Sequence, residues 1–337
     1  MPPRRSALAD CFMVAKGESS PQALLMNQMS PSIVAVLFAA FTLIIQPSAQ
    51  ADTFGTSGNE FTIDFVNIGN TGNAADTNTY GAVPYEYRAS IHEISQDDIT
   101  KATASGMSNV TAGAWTGSQP AANIDWYEAA AFVNFLNTNS GKTAAYNLTF
   151  TTNWSMALWS SEQAWTAGGT NLYRNKDAFY FLPSENEWYK AAFYNAAGTN
   201  YFLYPTASNT APTAVASGTN ADTAVYQFVS FSPAVVSAAG GLSSYGTMGQ
   251  GGNIWEMNET AFDGSNNSPS ESRALRGGSY PNDATRLVSS YHQATEPLDS
   301  AASIGFRVAS VPEPSTYVLL LLGAGAVYCW KCRTRSL

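Results

Sequence analysis

The chain has 337 residues, 45% of them hydrophobic and 12% aromatic, which supplies a sizeable core and is too apolar for a disordered chain. Between the apolar segments near its two ends, Asp and Glu outnumber Lys and Arg by 22 to 10, a balance of −12 that repels phosphate backbones and argues against nucleic acid as a partner. All three cysteines, Cys11, Cys329 and Cys332, lie outside that interval, so it has no disulfide, thiol nucleophile or cysteine-held metal and must be stabilised by burial.

In chain order the first element is an address. Residues 33–45 are apolar except for Thr42, and Ala49-Gln50-Ala51 has the small-x-small pattern of a signal-peptidase site. Residues 1–51 are therefore expected to be a signal-peptide region, with its apolar core at 33–45 and cleavage after Ala51. No Lys or Arg lies between Lys16 and the apolar run. Either the basic region is distant, or translation starts at a later methionine such as Met26 or Met29. The alternative, an N-terminal membrane anchor, is disfavoured because the run is short beside the roughly 20 residues a span needs.

Asn123-Ile124-Asp125-Trp126-Tyr127-Glu128 opens the clearest helix, which runs to about Asn137. Asp125 is the expected N-cap and Glu128 completes a capping box. Ala129, Phe132, Val133, Phe135 and Leu136 form its apolar face, and Asn139-Ser140-Gly141 ends it. A second helix starts at Ser184, within Phe181-Leu182-Pro183-Ser184-Glu185-Asn186-Glu187-Trp188, and continues through Phe193 and Tyr194. Glu185 and Glu187 resemble a catalytic carboxylate pair, but capping and complementation of the helix dipole account for them better. The stretches 69–81, 140–169 and 206–241 are rich in Asn, Thr, Gly and Ala and read as long loops.

The C-terminal end reads Val311-Pro312-Glu313-Pro314, a mostly apolar segment 315–330, and a basic tail 331–337. Prolines keep the recognition strip extended, the apolar run halts translocation, and the basic tail stays cytoplasmic. This arrangement resembles the PEP-CTERM sorting signal, with Pro312, Glu313 and Pro314 as the motif. The resemblance implies a Gram-negative producer of exopolysaccharide, a transient inner-membrane anchor, and removal of the tail by an exosortase. An uncleaved single-span anchor is the alternative.

Gly251-Gly252-Asn253-Ile254-Trp255-Glu256, Leu275-Arg276-Gly277-Gly278-Ser279-Tyr280 and Gly305-Phe306-Arg307-Val308-Ala309, together with the Leu182–Trp188 block, resemble the formylglycine-generating enzyme, or sulfatase-modifying factor, family. Phe65–Gly69 and Ile91-His92-Glu93-Ile94-Ser95 look like that family's opening strand and its Glu-Val-Thr block. The resemblance implies an α+β fold over residues 52–310, a C-type-lectin-like core of a few short strands and two main helices under long irregular loops. The family's copper-dependent oxidases carry two cysteines after the Gly-Gly-Ser-aromatic block; here those positions are Asn282 and Leu287. Neither residue supplies a thiolate, so oxidase activity and its copper are not expected.

The family resemblance also implies calcium, weakened here because Gly249 stands where relatives carry an Asp or Asn ligand, with Asn220 and Asp222 as candidates for a second site. Asn253, Trp255 and Glu256 are candidate ligand-binding residues, since an aromatic beside a carboxylate suits a sugar; core packing is the competing account. Arg276 and Arg307 are expected to make ion pairs or to hold loop carbonyls. The combined expectation is an exported, non-catalytic domain that meets signal peptidase and exosortase during export and then binds exopolysaccharide or a surface protein. The alternative is a secreted enzyme, a metal-dependent oxidase or hydrolase, using His92 or His292.

Overall fold

The computed structural model describes residues 49–111 and 113–312. The apolar run 33–45, Glu313 and Pro314 of the sorting motif, and the segments 315–330 and 331–337 lie outside the described residues.

A five-stranded sheet forms one layer, in the order β1 (Gln50–Phe54), β2 (Phe61–Ile68), β3 (Tyr87–Ser90), β15 (Ala309–Ser310) and β8 (Tyr180–Phe181). β2 shows why it is a strand. Phe61, Ile63 and Phe65 are buried while Thr62 and Asp64 between them are exposed, the period-two alternation of a half-buried sheet. β1 begins at Gln50, so the expected cut after Ala51 falls inside this strand and leaves Asp52 at its head. The Asp52 carboxylate accepts from the buried Arg88 at 2.6 and 3.1 Å and from the Tyr180 hydroxyl at 2.9 Å. Arg88 also donates to Ser310 Oγ at 2.8 Å, joining the first and last strands.

Three α-helices occur among the described residues. α1 (Gln96–Ala104) is additional to the two expected; its capping box, Ser95 with Asp98, uses Asp where the expected pattern has Glu or Gln. α2 (Trp126–Asn139) has the anticipated box of Asp125 and Glu128, and Gly141 beyond its end has φ +68°. Trp126, Tyr127, Ala129 to Val133, Leu136 and Asn137 of α2 are buried, a wide face that suits a helix apolar around much of its circumference. Phe132 sits between Phe61 and Phe306, with ring centroids at 6.1 and 5.6 Å. α3 (Glu185–Phe193) starts at Ser184 with its box to Glu187.

The second layer is a four-stranded sheet, in the order β13 (Gln293–Thr295), β12 (Arg273–Arg276), β11 (Trp255–Ala261) and β14 (Ile304–Gly305). One hydrophobic cluster joins both sheets to α1 and α2 through Phe65, Ile99, Phe132, Met257, Leu275 and Val308. The expected loop stretches contain small elements: a hairpin of β4 (Asn147–Phe150) and β5 (Trp154–Ala157), a pair β6 (Ala164–Trp165) and β7 (Asn171–Asn175), and a parallel pair β9 (Thr213–Ala214) and β10 (Thr223–Ala224). The fold is α+β, as expected, with loops that carry most of the surface. No helix among the described residues is long and apolar enough to cross a membrane.

Candidate functional site

Asn253, Trp255 and Glu256 lie inside the protein, so the structure corrects their reading as ligand-binding residues. The Glu256 carboxylate accepts from Arg307 Nε at 2.5 Å, Arg307 Nη2 at 2.6 Å and Trp188 Nε1 at 2.6 Å. Arg307 also holds the carbonyls of Ser90 and Met248 at 2.8 Å, the loop-holding role expected of it. Asn253, at φ +56°, accepts from Ala234 N at 2.8 Å and donates to Glu93 at 2.8 and 3.1 Å. Trp255 is 6% exposed and packs on Tyr291. These polar groups are occupied by the protein's own partners.

Two further buried guanidiniums do similar work. Arg276 donates to Glu185 at 2.7 Å and to the carbonyls of Ser289 and Tyr291 at 2.8 and 2.9 Å. Arg174 bridges Glu187 and Glu259 at 2.8 and 2.6 Å, all three side chains being inaccessible. Its positive charge holds the Glu187 carboxyl below its ordinary value despite burial, while burial pushes Glu259 up. Arg174 and Glu259 were not singled out from sequence: they lie 85 positions apart, in no shared motif.

The oxidase positions are filled structurally. Asn282 Oδ1 accepts from Ser279 N and Oγ at 2.9 and 2.8 Å, closing a turn. Leu287 is buried against Ala224 and Tyr226. His92 and His292 are engaged apart from one another. His92 has its pKa lowered by burial and then by Arg307. His292 Nδ1 lies 3.1 Å from Glu185, and its ring stacks on Phe262. Among the described residues no group of three or more His, Cys, Asp and Glu side chains could hold a metal ion.

The donor set at Gly249 does not fit calcium. Gly249 has φ +82°, and a Cβ there would lie 2.8 Å from the Glu93 carboxyl carbon. Glu93 thus occupies the space that a side chain at position 249 would need. Asn253 turns its amide nitrogen toward Glu93, whereas a cation needs oxygen. Burial, and then the nearby Glu256, raises the Glu93 pKa well above its ordinary value. Asn220 and Asp222 are on an exposed loop, and their carbonyls accept from Thr223 Oγ1 and Thr213 N, both at 2.7 Å.

The surface over the Asn282 turn offers different chemistry. The loop after Tyr226 is tied down by Gln227 N donating to Asn282 O at 2.7 Å and Phe228 N to Tyr280 O at 2.9 Å. Gln227 and Phe228 have φ of +62° and +53°, two consecutive non-glycine residues in a region that costs on the order of 1 kcal/mol or more each. The geometry turns side chains outward: Phe228 is 54%, Val229 50% and Phe231 85% exposed. Ring contacts run from Phe231 to Phe228 at 6.2 Å, Phe228 to Tyr280 at 6.2 Å and Tyr280 to Trp115 at 5.9 Å. The exposed rings of Phe231 and Phe228 thus continue into the partly buried Tyr280 and Trp115, beside Asn282. The sequence held a signal for it, Tyr226, Phe228 and Phe231 amid small residues, which was read simply as loop.

The described domain is an α+β scaffold whose long loops are tied down by buried Arg–Glu pairs. The model of the sulfatase-modifying factor enzyme 1-like domain matches residues 56–311, and that of the PEP-CTERM protein-sorting motif matches residues 310–335. The chain belongs to the sulfatase-modifying factor enzyme 1-like domain family. The sorting motif marks it for exosortase processing and for export to the cell surface of a Gram-negative bacterium. Among solved structures, Treponema denticola variable protein 1 is similar at TM-score 0.56 and 19% identity, covering 79% of this chain and 100% of that one. CarF is similar at TM-score 0.54 and 19% identity, covering 74% and 99%. Likeness at this identity shows the fold and leaves function to the site. A comparison with curated proteins finds no match.

Proposed function

We propose that the protein is a non-catalytic surface component that binds the producing cell's own exopolysaccharide through Trp115, Phe228, Phe231 and Tyr280. The observation that carries this reading is the exposed pair Phe228 and Phe231, continued by the partly buried Tyr280 and Trp115 beside the Asn282 turn. Aromatic faces suit the C–H faces of sugar rings, and Tyr and Trp add polar edges. Large exposed apolar patches mark interaction sites, and the sorting signal delivers this one to the place where the polymer lies. Segment 315–330 acts as a transient inner-membrane anchor until the exosortase cuts.

The test is a pull-down of the protein, purified from the producing cells, with exopolysaccharide from the same cells, with calcium and with a chelator. Binding is expected in both conditions and is expected to fall at least about tenfold in Phe228→Ser/Phe231→Ser, a loss of about 1.4 kcal/mol, with an unchanged melting temperature. No binding in either condition, or full binding by the double variant, defeats the reading. Capture of a surface protein instead of polymer replaces the partner.

A further inference from the structure

A cleft of about 200 Å³ lies between the segment before β3, the turn joining β6 to β7, the start of α3 and the end of β11. Its chain segments are different from those that form the ring surface. The volume is below the roughly 300 Å³ at which drug-sized pockets begin, so it admits one small ring. Its lining fixes what that ring must be.

The aromatic wall is Trp165 against Tyr85, with centroids 5.4 Å apart and nearly perpendicular. Behind it, Arg174 lies 5.3 Å from the Trp165 ring. Its Nε and both Nη atoms are bonded to Glu187, Glu259 and the Leu182 carbonyl. The one guanidinium present is therefore committed and faces two carboxylates, which disfavours an anionic guest.

Asn171 and Asn266 spend their amide N–H groups on Glu259 and on Asn171, while three other polar side chains of the lining share one feature. Asn186 Oδ1 accepts from Gly81 N at 2.9 Å, Thr260 Oγ1 from Glu185 N at 2.9 Å, and Ser184 Oγ from Glu187 N at 3.2 Å. In each case a backbone N–H holds the acceptor side, which orients the amide N–H or hydroxyl proton to be offered elsewhere. Three neutral donors are thus set in one small cleft. A purely apolar guest leaves them unpaired, and a cation meets no carboxylate in the lining. A ring rich in hydroxyl oxygens, with a C–H face for Trp165 and no charge, satisfies all three constraints.

We propose that this cleft binds a single neutral pyranose unit, the end or a side branch of a glycan. The proposal stands apart from polymer binding on the ring surface.

The experiment is saturation-transfer NMR on the protein purified from the producing cells, with D-glucose, D-galactose and D-mannose as probes and D-glucuronate as the anionic control. At least one neutral sugar is expected to bind with a dissociation constant of about 1–10 mM, and glucuronate at least about tenfold more weakly. Asn186→Asp keeps the acceptor for Gly81 N but removes the amide donor and adds charge, and is expected to weaken the neutral sugar about tenfold without lowering the melting temperature. Phe231→Ser is expected to leave monosaccharide binding intact, so failure of the ring surface and failure of the cleft read out separately. The proposal is overturned if no neutral sugar binds at about 50 mM, if glucuronate binds equally well, or if Asn186→Asp leaves the affinity unchanged.

Discussion

Replacing Gly249 by Ala probes the packing of the Glu93 carboxyl against this position. Two costs add. An L-residue at φ +82° loses about 1–2 kcal/mol to backbone strain. The new Cβ would lie 2.8 Å from the Glu93 carboxyl carbon and 2.9 and 3.0 Å from its oxygens, closer than any real contact, so the carboxyl must move. That displacement breaks its bonds from Asn253 at 2.8 and 3.1 Å, and leaving buried polar groups unsatisfied costs about 1–3 kcal/mol. Gly249→Ala is therefore expected to destabilise by about 2–5 kcal/mol. In a Glu93→Ala background the second cost disappears and the same change should cost only about 1–2 kcal/mol. Urea denaturation of both single variants and the double variant gives the coupling directly. Equal costs of Gly249→Ala in the two backgrounds would refute the placement of Glu93. Gly249→Asp, which sets a second carboxyl against Glu93, should be worse still and should not be rescued by calcium.

Removing Arg174 leaves Glu187 and Glu259 buried without their cation, so Arg174→Met is expected to cost about 3–5 kcal/mol in chemical denaturation. Adding Glu259→Gln should recover part of that loss, and strictly additive costs would count against the bridge. Burial raises Asp125, the N-cap of α2, from 3.8 to about 6. The folded state then holds a proton that the unfolded chain releases, so this group's stabilisation is full below the unfolded value and is lost as pH rises through about 6. Asp125→Asn keeps a good N-cap without titrating, and thermal melts between about pH 4 and 6.5 should show a shallower decline than the parent; an identical slope would show that Asp125 does not titrate this way. For metal removal, the donor chemistry at Gly249 predicts that chelator leaves the melting temperature unchanged.

Local signals were read well because their causes are local. The capping boxes of α2 and α3 each lie within four consecutive residues, Asp125–Glu128 and Ser184–Glu187. The box of α1, Ser95 with Asp98, is equally local but uses the shorter acid, and the helix was missed. Burial is decided at longer range. Trp255 and Glu256 resemble a sugar platform in sequence, yet Glu256 meets Arg307 from 51 positions away and Trp188 from 68, and these partners close it off. The cleft and the ring surface failed to show for the same reason. Tyr280 and Trp115, or Tyr85 and Trp165, become neighbours only through the tertiary fold.

The place of the last strand governs when this protein can finish folding. β15 sits between β3 and β8, and Arg88 ties its Ser310 to Asp52 near the other end of the described chain. The five-stranded sheet cannot close until residues 309–310, near the end of the described chain, have joined it. Closure is non-local and therefore slow. Until it closes, the edges of β3 and β8 that β15 covers stay unpaired and open to aggregation or proteolysis. Truncation before Ala309 would omit the strand that joins β3 to β8 and leave the sheet in two parts.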